Sequence, residues 1–264
     1  MGWVMSVSPR FALAALALAL GSATAAAGTC RSESFEDDAF TVCSFDLAES
    51  DLRFFWQHPD GKAFGTFTAL AGHLEGQGER LAFATNGGMY GEDYSPIGLY
   101  IENGRELAAV NTRDAPANVK PAPNFYKKPN GIFHVGKDGA GVMTTEAFLA
   151  AQPEVRFATQ SGPMLVIDGE VHPVFIPGSS DLNPRNGVCA STPTKVHFVI
   201  TEGTVNFHDF ARFFRDGLKC KDALFLDGGS ASALYSPELG RDDGPGHGGF
   251  GPIIGVVVKA PGAQ

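Results

Sequence analysis

The residues best suited to chemistry follow a short apolar run near the C-terminus. The run ALFL ends at Asp227, and Gly228, Gly229, Ser230 and Ser232 follow it within five positions. An aspartate at the end of a buried strand places a carboxylate at the edge of a sheet, and two glycines let a ligand approach the backbone closely. Backbone N–H groups in such a loop can hold an oxyanion or a phosphate. The segment indicates a hydrolytic or phosphate-binding site, against the simpler interpretation that Asp227 caps a turn.

Further glycine-rich segments have the same character. N-G-G-M-Y (86–90) follows the apolar run LAFAT, Q-S-G-P (160–163) lies between two apolar runs, and N-P-R-N-G (183–187) carries an arginine. A guanidinium suits bidentate recognition of phosphate or carboxylate, although an isolated arginine in a loop is more often solvated. Each segment alone would be interpreted as a tight turn. The candidate residues in these segments are Asn86, Gly87, Gly88, Tyr90, Ser161, Gly162 and Arg185.

The elements that would position these groups are mainly short strands. Alternating or continuous apolar residues predict strands at 40–46, 52–56, 81–86, 97–102, 105–110, 131–135, 141–143, 164–168, 196–201, 204–207, 223–227 and 253–258. Apolar faces predict one helix over 67–76 and another capped by Asn206. Hairpin signals such as Asn103-Gly104 outnumber βαβ units. We therefore expect a single α+β domain whose sheet is mixed, largely antiparallel and flanked by helices.

The N-terminus has the features of an export signal. Arg10 precedes the uncharged apolar run 11–20, and small residues fill 21–27. This pattern predicts a signal peptide over 1–27, cleaved from a domain over 28–264 that is periplasmic or secreted. A retained membrane anchor is the alternative, but spanning a bilayer takes about 20 apolar residues and this run is shorter. We expect no membrane span after cleavage.

The cysteines agree with an oxidising compartment. There are four, Cys30, Cys43, Cys189 and Cys220, and none forms a C-x-x-C motif. Proximity in sequence favours the pairs Cys30–Cys43 and Cys189–Cys220, although four cysteines allow three connectivities.

Charge and histidine spacing exclude or weaken other function classes. The net charge of −9 argues against nucleic acid as a partner, because phosphate backbones require a basic surface. The seven histidines contain no H-x-H or H-x-x-x-H spacing, which weakens the alternative of a metal-dependent phosphodiesterase. A divalent cation such as calcium, held by Asp227 and backbone oxygens, stays open, so the metal is unknown.

In chain order, the segments N-G-G-M-Y, N-x-x-x-K-P-N-G-I-F (124–133), Q-S-G-P-M-L-V, P-R-N-G-V, F-L-D-G-G-S-A-S and G-P-I-I-G-V-V form a specific pattern. Together they resemble the phosphodiester glycosidase family over about residues 80–258, in its exported bacterial branch. The resemblance implies hydrolysis of a sugar-1-phosphodiester at its glycosidic bond, with a sugar phosphate or polysaccharide as substrate and no required cofactor.

The resemblance also implies roles for individual residues. The catalytic set would be Asp227, as general base or nucleophile, with Arg185, Ser230 and Asn86; Arg185 and the backbone of 228–230 would clamp the phosphate. Glu92 and Asp93 are candidates for a second carboxylate. The substrate-binding set would be Gly87, Gly88, Tyr90, Asn130, Ser161, Gly162, Gly228, Gly229 and Ser232.

Two other classes stay open. A serine hydrolase is weakened by the lack of a G-x-S-x-G motif. In a non-catalytic polysaccharide-binding module, Phe54, Phe55, Trp56 and Tyr126 would stack on sugar rings, although aromatic residues in an apolar strand are more often core. His247 lies in a glycine-rich stretch, 244–251, that could cover the site, although the simpler interpretation, which we favour, is that it is only a loop.

Overall fold

The computed structural model describes residues 1–3 and 28–262. Most of the predicted signal peptide lies outside the described residues, so the boundary between 1–27 and 28–264 stays a prediction. Within 1–3 and 28–262, no helix is both long and apolar enough to cross a membrane.

The described chain is built mainly of strands. They are β1 (Thr29–Phe35), β2 (Asp38–Asp46), β3 (Asp51–Phe55), β4 (Glu79–Asn86), β5 (Tyr100–Glu102), β6 (Arg105–Ala108), β7 (Gly131–Gly136), β8 (Gly139–Thr144), β9 (Val155–Ser161), β10 (Met164–Ile167), β11 (Glu170–Val171), β12 (Arg185–Ala190), β13 (Lys195–Thr201), β14 (Ala223–Gly228), β15 (Leu234–Ser236), β16 (Arg241–Asp242) and β17 (Ile253–Lys259). The helices are α1 (Phe67–Glu75), α2 (Thr145–Ala151) and α3 (Phe207–Arg212), the last continued by a π turn over Phe213–Gly217.

The strands form three sheets rather than one. Sheet A has the order β1-β2-β13-β12-β14-β10-β11, sheet B the order β16-β15-β4-β17-β3, and sheet C the order β6-β5-β9-β7-β8. Every strand pair within the described residues is antiparallel. The expectation of a sheet-rich α+β domain is confirmed, whereas the expectation of one mixed sheet is wrong, because no described pair runs parallel.

The sheets meet on one shared core. Phe83 from sheet B, Phe198 from sheet A and Phe133 from sheet C belong to the same buried cluster, and the rings of Phe83 and Phe133 lie 5.2 Å and 5.8 Å from that of Phe198. Because burying large aromatic side chains is a dominant favourable term in folding, this cluster holds the inner faces of the sheets together.

The helices cover outer faces of the sheets. α3 and its π turn bring Phe210, Phe213 and Phe214 against the outer face of sheet A. α1 covers sheet B through Phe67, Leu70 and Leu74. As predicted, Asn206 caps α3, since its side chain accepts a hydrogen bond from the Asp209 N–H at 3.0 Å.

Two local predictions are wrong. Residues 204–207 do not pair with β13; instead Val205 forms an isolated bridge with Asn183, and β13 pairs with β2 and β12. The arginine segment 183–187 is not a loop throughout, because strand β12 begins at Arg185. In both places the pairing partner is distant in sequence, so local turn signals gave the wrong assignment.

Both predicted disulfides are present. Cys30–Cys43 joins the paired strands β1 and β2, and Cys189–Cys220 joins β12 to the segment after the π turn. Within the described residues no cysteine is free.

Removing either disulfide should destabilise the fold, and the longer loop should matter more. The bridges close separations of 13 and 31 residues, for which loop entropy gives about 3 and about 4 kcal/mol. We expect Cys189→Ala/Cys220→Ala to lower the free energy of unfolding by roughly 1 kcal/mol more than Cys30→Ala/Cys43→Ala. Urea unfolding of both variants beside wild type measures this. The reverse order would show that loop entropy does not set the contribution of these bridges.

Candidate active site

Strands from all three sheets end at one pole of the molecule. Asn86 ends β4, Ser161 ends β9, and Asp227 is the next-to-last residue of β14. Their antiparallel neighbours begin at the same pole, since Ile253 pairs with Asn86 and Arg185 pairs with Gly228. The sequence segments selected for their chemistry are thus brought together by the topology.

Asn186 joins sheet A to sheet B below this pole. Its Nδ2 donates to Asn86 Oδ1 at 2.8 Å and to Thr85 Oγ1 at 3.1 Å. Its Oδ1 accepts from the backbone N–H of Asp227 at 3.0 Å. Asn86 Oδ1 also accepts from the Ala233 N–H at 3.1 Å, next to the glycine loop. Sequence reasoning did not select Asn186; its only signal was its place beside Arg185 in the motif.

Two hydroxyls join sheet C to the other sheets. Thr159 Oγ1 donates to the carbonyl of Gly87 at 2.8 Å, and Ser161 Oγ donates to the carbonyl of Leu226. Gly88 has φ +142°, and a Cβ there would lie 2.7 Å from Thr159 Oγ1. The second glycine of N-G-G is therefore required by backbone conformation and close packing. Gly87, Gly88 and Ser161 are buried, and their contact with substrate stays a prediction.

Asp227 carries the perturbed carboxyl of this pole. Burial raises the pKa of Asp227 to about 7, while its hydrogen bond from the Gly228 N–H and the charge of His247 act in the opposite direction. The Gly228 N–H donates to Oδ1 at 2.8 Å. A carboxyl that titrates near neutral pH can act as an acid or a base under physiological conditions.

Tyr90 and His247 lie beside this carboxyl. Burial raises the pKa of Tyr90, and the charges of Asp227 and Tyr94 add to the shift. The Tyr90 hydroxyl donates to the carbonyl of Gly249 at 2.9 Å, and its ring lies 6.2 Å from the ring of His247. The backbone N–H of Gly246 donates to the Ser230 carbonyl at 2.9 Å. The stretch 244–251 is thus anchored to the Asp227 loop, and it brings His247, which the sequence alone suggested to be part of a simple loop, near Tyr90.

The glycine loop after Asp227 leaves fewer free N–H groups than expected. Gly228 N–H donates to Asp227 Oδ1, and Gly229 N–H donates to the Pro184 carbonyl at 2.9 Å. The prediction of a phosphate clamp made by the backbone of 228–230 is wrong for these two groups, because protein acceptors already occupy them. Ser230 is exposed, whereas the Ser232 hydroxyl donates to the Asp227 carbonyl at 3.3 Å.

Arg185 faces away from solvent. Its side chain is 1% exposed, its Nε donates to the Val205 carbonyl at 2.7 Å, and its Nη2 donates to the Asp181 carbonyl at 3.0 Å. The guanidinium lies 3.5 Å from the ring centre of Phe207. The Arg185 guanidinium cannot contact a substrate phosphate in this arrangement, because protein atoms enclose it. Its role in the site stays a prediction.

The remaining predicted residues lie behind or beside the site. Asn130 is buried, with its Oδ1 accepting from Thr145 and its Nδ2 donating to the Phe125 carbonyl. Gly162 is packed against it, since a Cβ would lie 2.7 Å from Asn130 Cβ. Asp93 is exposed and accepts two hydrogen bonds from Ser95, so it is engaged locally.

The stacking residues proposed for a binding module are mostly core or engaged. Phe54 is 1% exposed, and Trp56 is half-buried and donates its indole N–H to the Tyr94 carbonyl at 2.9 Å. Among residues 1–3 and 28–262, no group of three or more His, Cys, Asp or Glu side chains is arranged to hold a metal ion. A calcium ion at Asp227 stays a prediction.

Comparison with known proteins identifies the family of this chain. The model of the phosphodiester glycosidase family matches residues 79–253. The chain belongs to the phosphodiester glycosidase family. The matched segment contains N-G-G-M-Y, the paired strands β12 and β14, and Asp227. The chain is also 36% identical over 184 residues to the uncharacterized protein YigE of Escherichia coli (strain K12), covering 70% of this chain and 69% of YigE.

Two solved structures share the fold of this phosphodiester glycosidase family member. One is a hypothetical protein from Synechocystis, with a TM-score of 0.57 and 14% identity over 88% of this chain; the chain spans 62% of that protein. The other is the catalytic domain of zebrafish N-acetylglucosamine-1-phosphodiester alpha-N-acetylglucosaminidase, auto-inhibited by its pro-peptide. Its TM-score is 0.57 and its identity 14%, covering 87% of this chain and 81% of that domain.

The raised pKa of Asp227 predicts a pH-dependent stability cost. The folded protein holds this proton between pH 3.8 and about 7, where the unfolded chain has lost it. Stability contributed by this group is therefore present at low pH and lost as pH rises through about 7. We expect Asp227→Asn to be more stable than wild type near pH 8, with a smaller difference near pH 5. Urea unfolding across this range measures it. A difference that does not change with pH would contradict the assignment.

Proposed function

We propose that this protein hydrolyses a sugar-1-phosphodiester at its glycosyl–phosphate bond, in a glycan of the cell envelope or one exported from the cell. The observation that carries the proposal is the Asp227 carboxyl, whose pKa is raised to about 7 at the end of a buried strand inside the family segment. Export is supported by the two disulfides and by the predicted signal sequence.

The ionised form of Asp227 is the reactive one in this proposal. As a general base, it takes a proton from water while the water oxygen bonds to the anomeric carbon. As a nucleophile, it bonds to that carbon itself, and water then hydrolyses the glycosyl–enzyme ester. In either case the bond from the anomeric carbon to the phosphate oxygen breaks, and the phosphate monoester leaves with the electron pair. The configuration of the released sugar distinguishes inversion from retention.

The leaving group explains why one carboxyl is enough. A phosphate monoester is already a stable anion, so its departure needs little help from a strong general acid. The exposed hydroxyl of Ser230 is available to donate a hydrogen bond to it. His247 lies near enough to Asp227 for its charge to act on that carboxyl. A protonated imidazole there would offset negative charge from the departing phosphate.

The first test is a release assay on the purified protein. The substrates are a panel of sugar-1-phosphodiesters beginning with N-acetylglucosamine, with and without a chelator. We expect wild type to release free sugar and Asp227→Asn to be slower by about 10²–10⁴-fold. Because the ionised carboxyl is required, kcat/KM should rise with pH and level off above about 7.

The assay also separates the alternatives. Loss of activity with chelator would favour a metal-dependent reaction. Full activity of Asp227→Asn, or kcat/KM that falls as pH rises through about 7, would overturn the role given to Asp227. Glycan binding by both proteins without release of sugar from any substrate would favour a non-catalytic binding module.

A pair of glycine substitutions tests whether the 244–251 stretch belongs to the site. A Cβ on Gly246 would lie 2.6 Å from Ser230 Cβ and 2.8 Å from the Ser230 carbonyl oxygen, whereas a Cβ on Gly244 meets no atom within 4 Å. We expect Gly246→Ala to displace this stretch from Ser230 and lower kcat/KM by about tenfold or more. Gly244→Ala is the matched control and should keep wild-type kcat/KM. If both variants kept the wild-type kcat/KM, the contact between the 244–251 stretch and Ser230 would not be needed for activity.

A further inference from the structure

A second cleft lies beside the hairpin that precedes α1. Its volume is about 490 Å³, and strand β3 at the edge of sheet B, the β5–β6 hairpin of sheet C and residues of α1 form its walls. Asp227 is not among its lining residues. Three arginines line it, Arg53, Arg105 and Arg156.

The charged residues that line the cleft are these three arginines and Glu102, in a chain of net charge −9. Arg53 adds no net positive charge, since it forms ion pairs with two carboxylates, Asp51 at 2.6 Å and Glu79 at 2.7 Å. Arg105 and Arg156 are exposed, and neither forms an ion pair within 1–3 and 28–262.

Glu102 is the carboxyl among the lining residues, and the charge of Arg105 acts on it. Burial raises the pKa of Glu102, although the Tyr100 hydroxyl and Arg105 partly oppose the shift. Glu102 also accepts a hydrogen bond from the Tyr100 hydroxyl at 3.3 Å. Arg156 Nη2 donates to Asn103 Oδ1 at 3.5 Å, and the remaining N–H groups of Arg105 and Arg156, which line the cleft, are available for an anion.

Aromatic rings form one wall of the cleft. The ring of Phe64 lies 5.7 Å from that of His58 and 5.3 Å from that of His73. His73 Nε2 also forms a hydrogen bond with Gln77 Nε2 at 2.9 Å, and Gln77 is exposed at the rim. Rings offer an apolar surface to the C–H face of a sugar, and the amide offers polar contacts to its hydroxyls.

The cleft is connected to the Asp227 pole by a short segment. The hairpin closed by the Gln57–Ala63 bridge forms part of its wall and leads into Gly65. The Gly65 carbonyl accepts from the backbone N–H of Phe250 at 2.8 Å, at the end of the stretch that carries His247. One backbone hydrogen bond thus joins the wall of the cleft to the stretch that lies over the Asp227 loop.

We propose that this cleft is a binding subsite for a phosphate-bearing sugar unit of the glycan, with Arg105 and Arg156 holding the phosphate and Phe64 supporting the sugar ring. The inference rests on the proposed function for the polymeric nature of the ligand. Binding at the cleft requires no turnover, so it is measured independently of catalysis.

The test uses Asp227→Asn protein, so that no hydrolysis complicates the measurement. N-acetylglucosamine 1-phosphate is titrated by calorimetry, and backbone amide shifts locate the contact by NMR. We expect shifts at Asn103 and Arg105, together with weaker binding at high salt. Adding Arg105→Ala/Arg156→Ala should lower affinity by about tenfold or more, since charge-assisted hydrogen bonds are lost. Arg80→Ala/Arg215→Ala removes the same charge away from the cleft and should change affinity by less than about twofold.

Other ligands and variants define the outcomes that overturn the subsite. Shifts confined to residues around Asp227, or equal losses in the two double variants, would show that the cleft does not bind the sugar phosphate. Inorganic phosphate binding as tightly as the sugar phosphate, with Phe64→Leu having no effect, would reject the sugar contact. Cleft binding seen while no substrate is hydrolysed would retain the subsite and reject only the proposed reaction.

Discussion

The site depends on a buried set of hydrogen bonds where three sheets meet. Asn186 ties sheet A to sheet B, and Thr159 and Ser161 tie sheet C to both. Away from water each of these polar groups requires a partner, and deleting one leaves the other unsatisfied at a cost of roughly 1–3 kcal/mol. The relative position of the sheets is therefore fixed where their strands end. The same set also holds the backbone of Asp227, because its N–H donates a hydrogen bond to Asn186 Oδ1.

The stability of the fold and the proposed chemistry place opposite demands on Asp227. The core beneath it provides the low-dielectric surroundings that raise its pKa. The ionised carboxylate carries a desolvation cost there, and this cost lowers the stability of the fold. Nearby groups offset this desolvation cost only in part. Gly228 donates one hydrogen bond to the carboxylate, and His247 is exposed, so water screens its charge. Functional sites often retain such unfavourable groups because a well-solvated carboxylate would titrate far from neutral pH.

The sequence predicted where strands end better than it predicted which strands pair with each other. Asp227 was found because an apolar run ending in a carboxylate and two glycines is a local pattern, and the Asn206 cap is local as well. The division into three sheets is decided by contacts between distant residues, which no local period records. Segment 183–187 was interpreted as a loop because of its Asn and Gly. Gly187 is instead required in a strand, where a Cβ would lie 2.9 Å from the Leu224 carbonyl oxygen. The enclosure of Arg185 depends on Phe207, which is likewise invisible in the local pattern.

The segment shared with the family is smaller than the unit that folds. It covers residues 79–253, yet β2 lies before it and forms the neighbour of β13 in sheet A. Strand β3 also lies before it and pairs with β17, most of which lies beyond its end. A chain trimmed to the shared segment would present the unpaired backbone of β13 to solvent, together with a core face stripped of Phe45 and Phe54. Exposed edges of this kind recruit other chains. The segment shared with the family and the set of strands that completes sheets A and B thus have different borders.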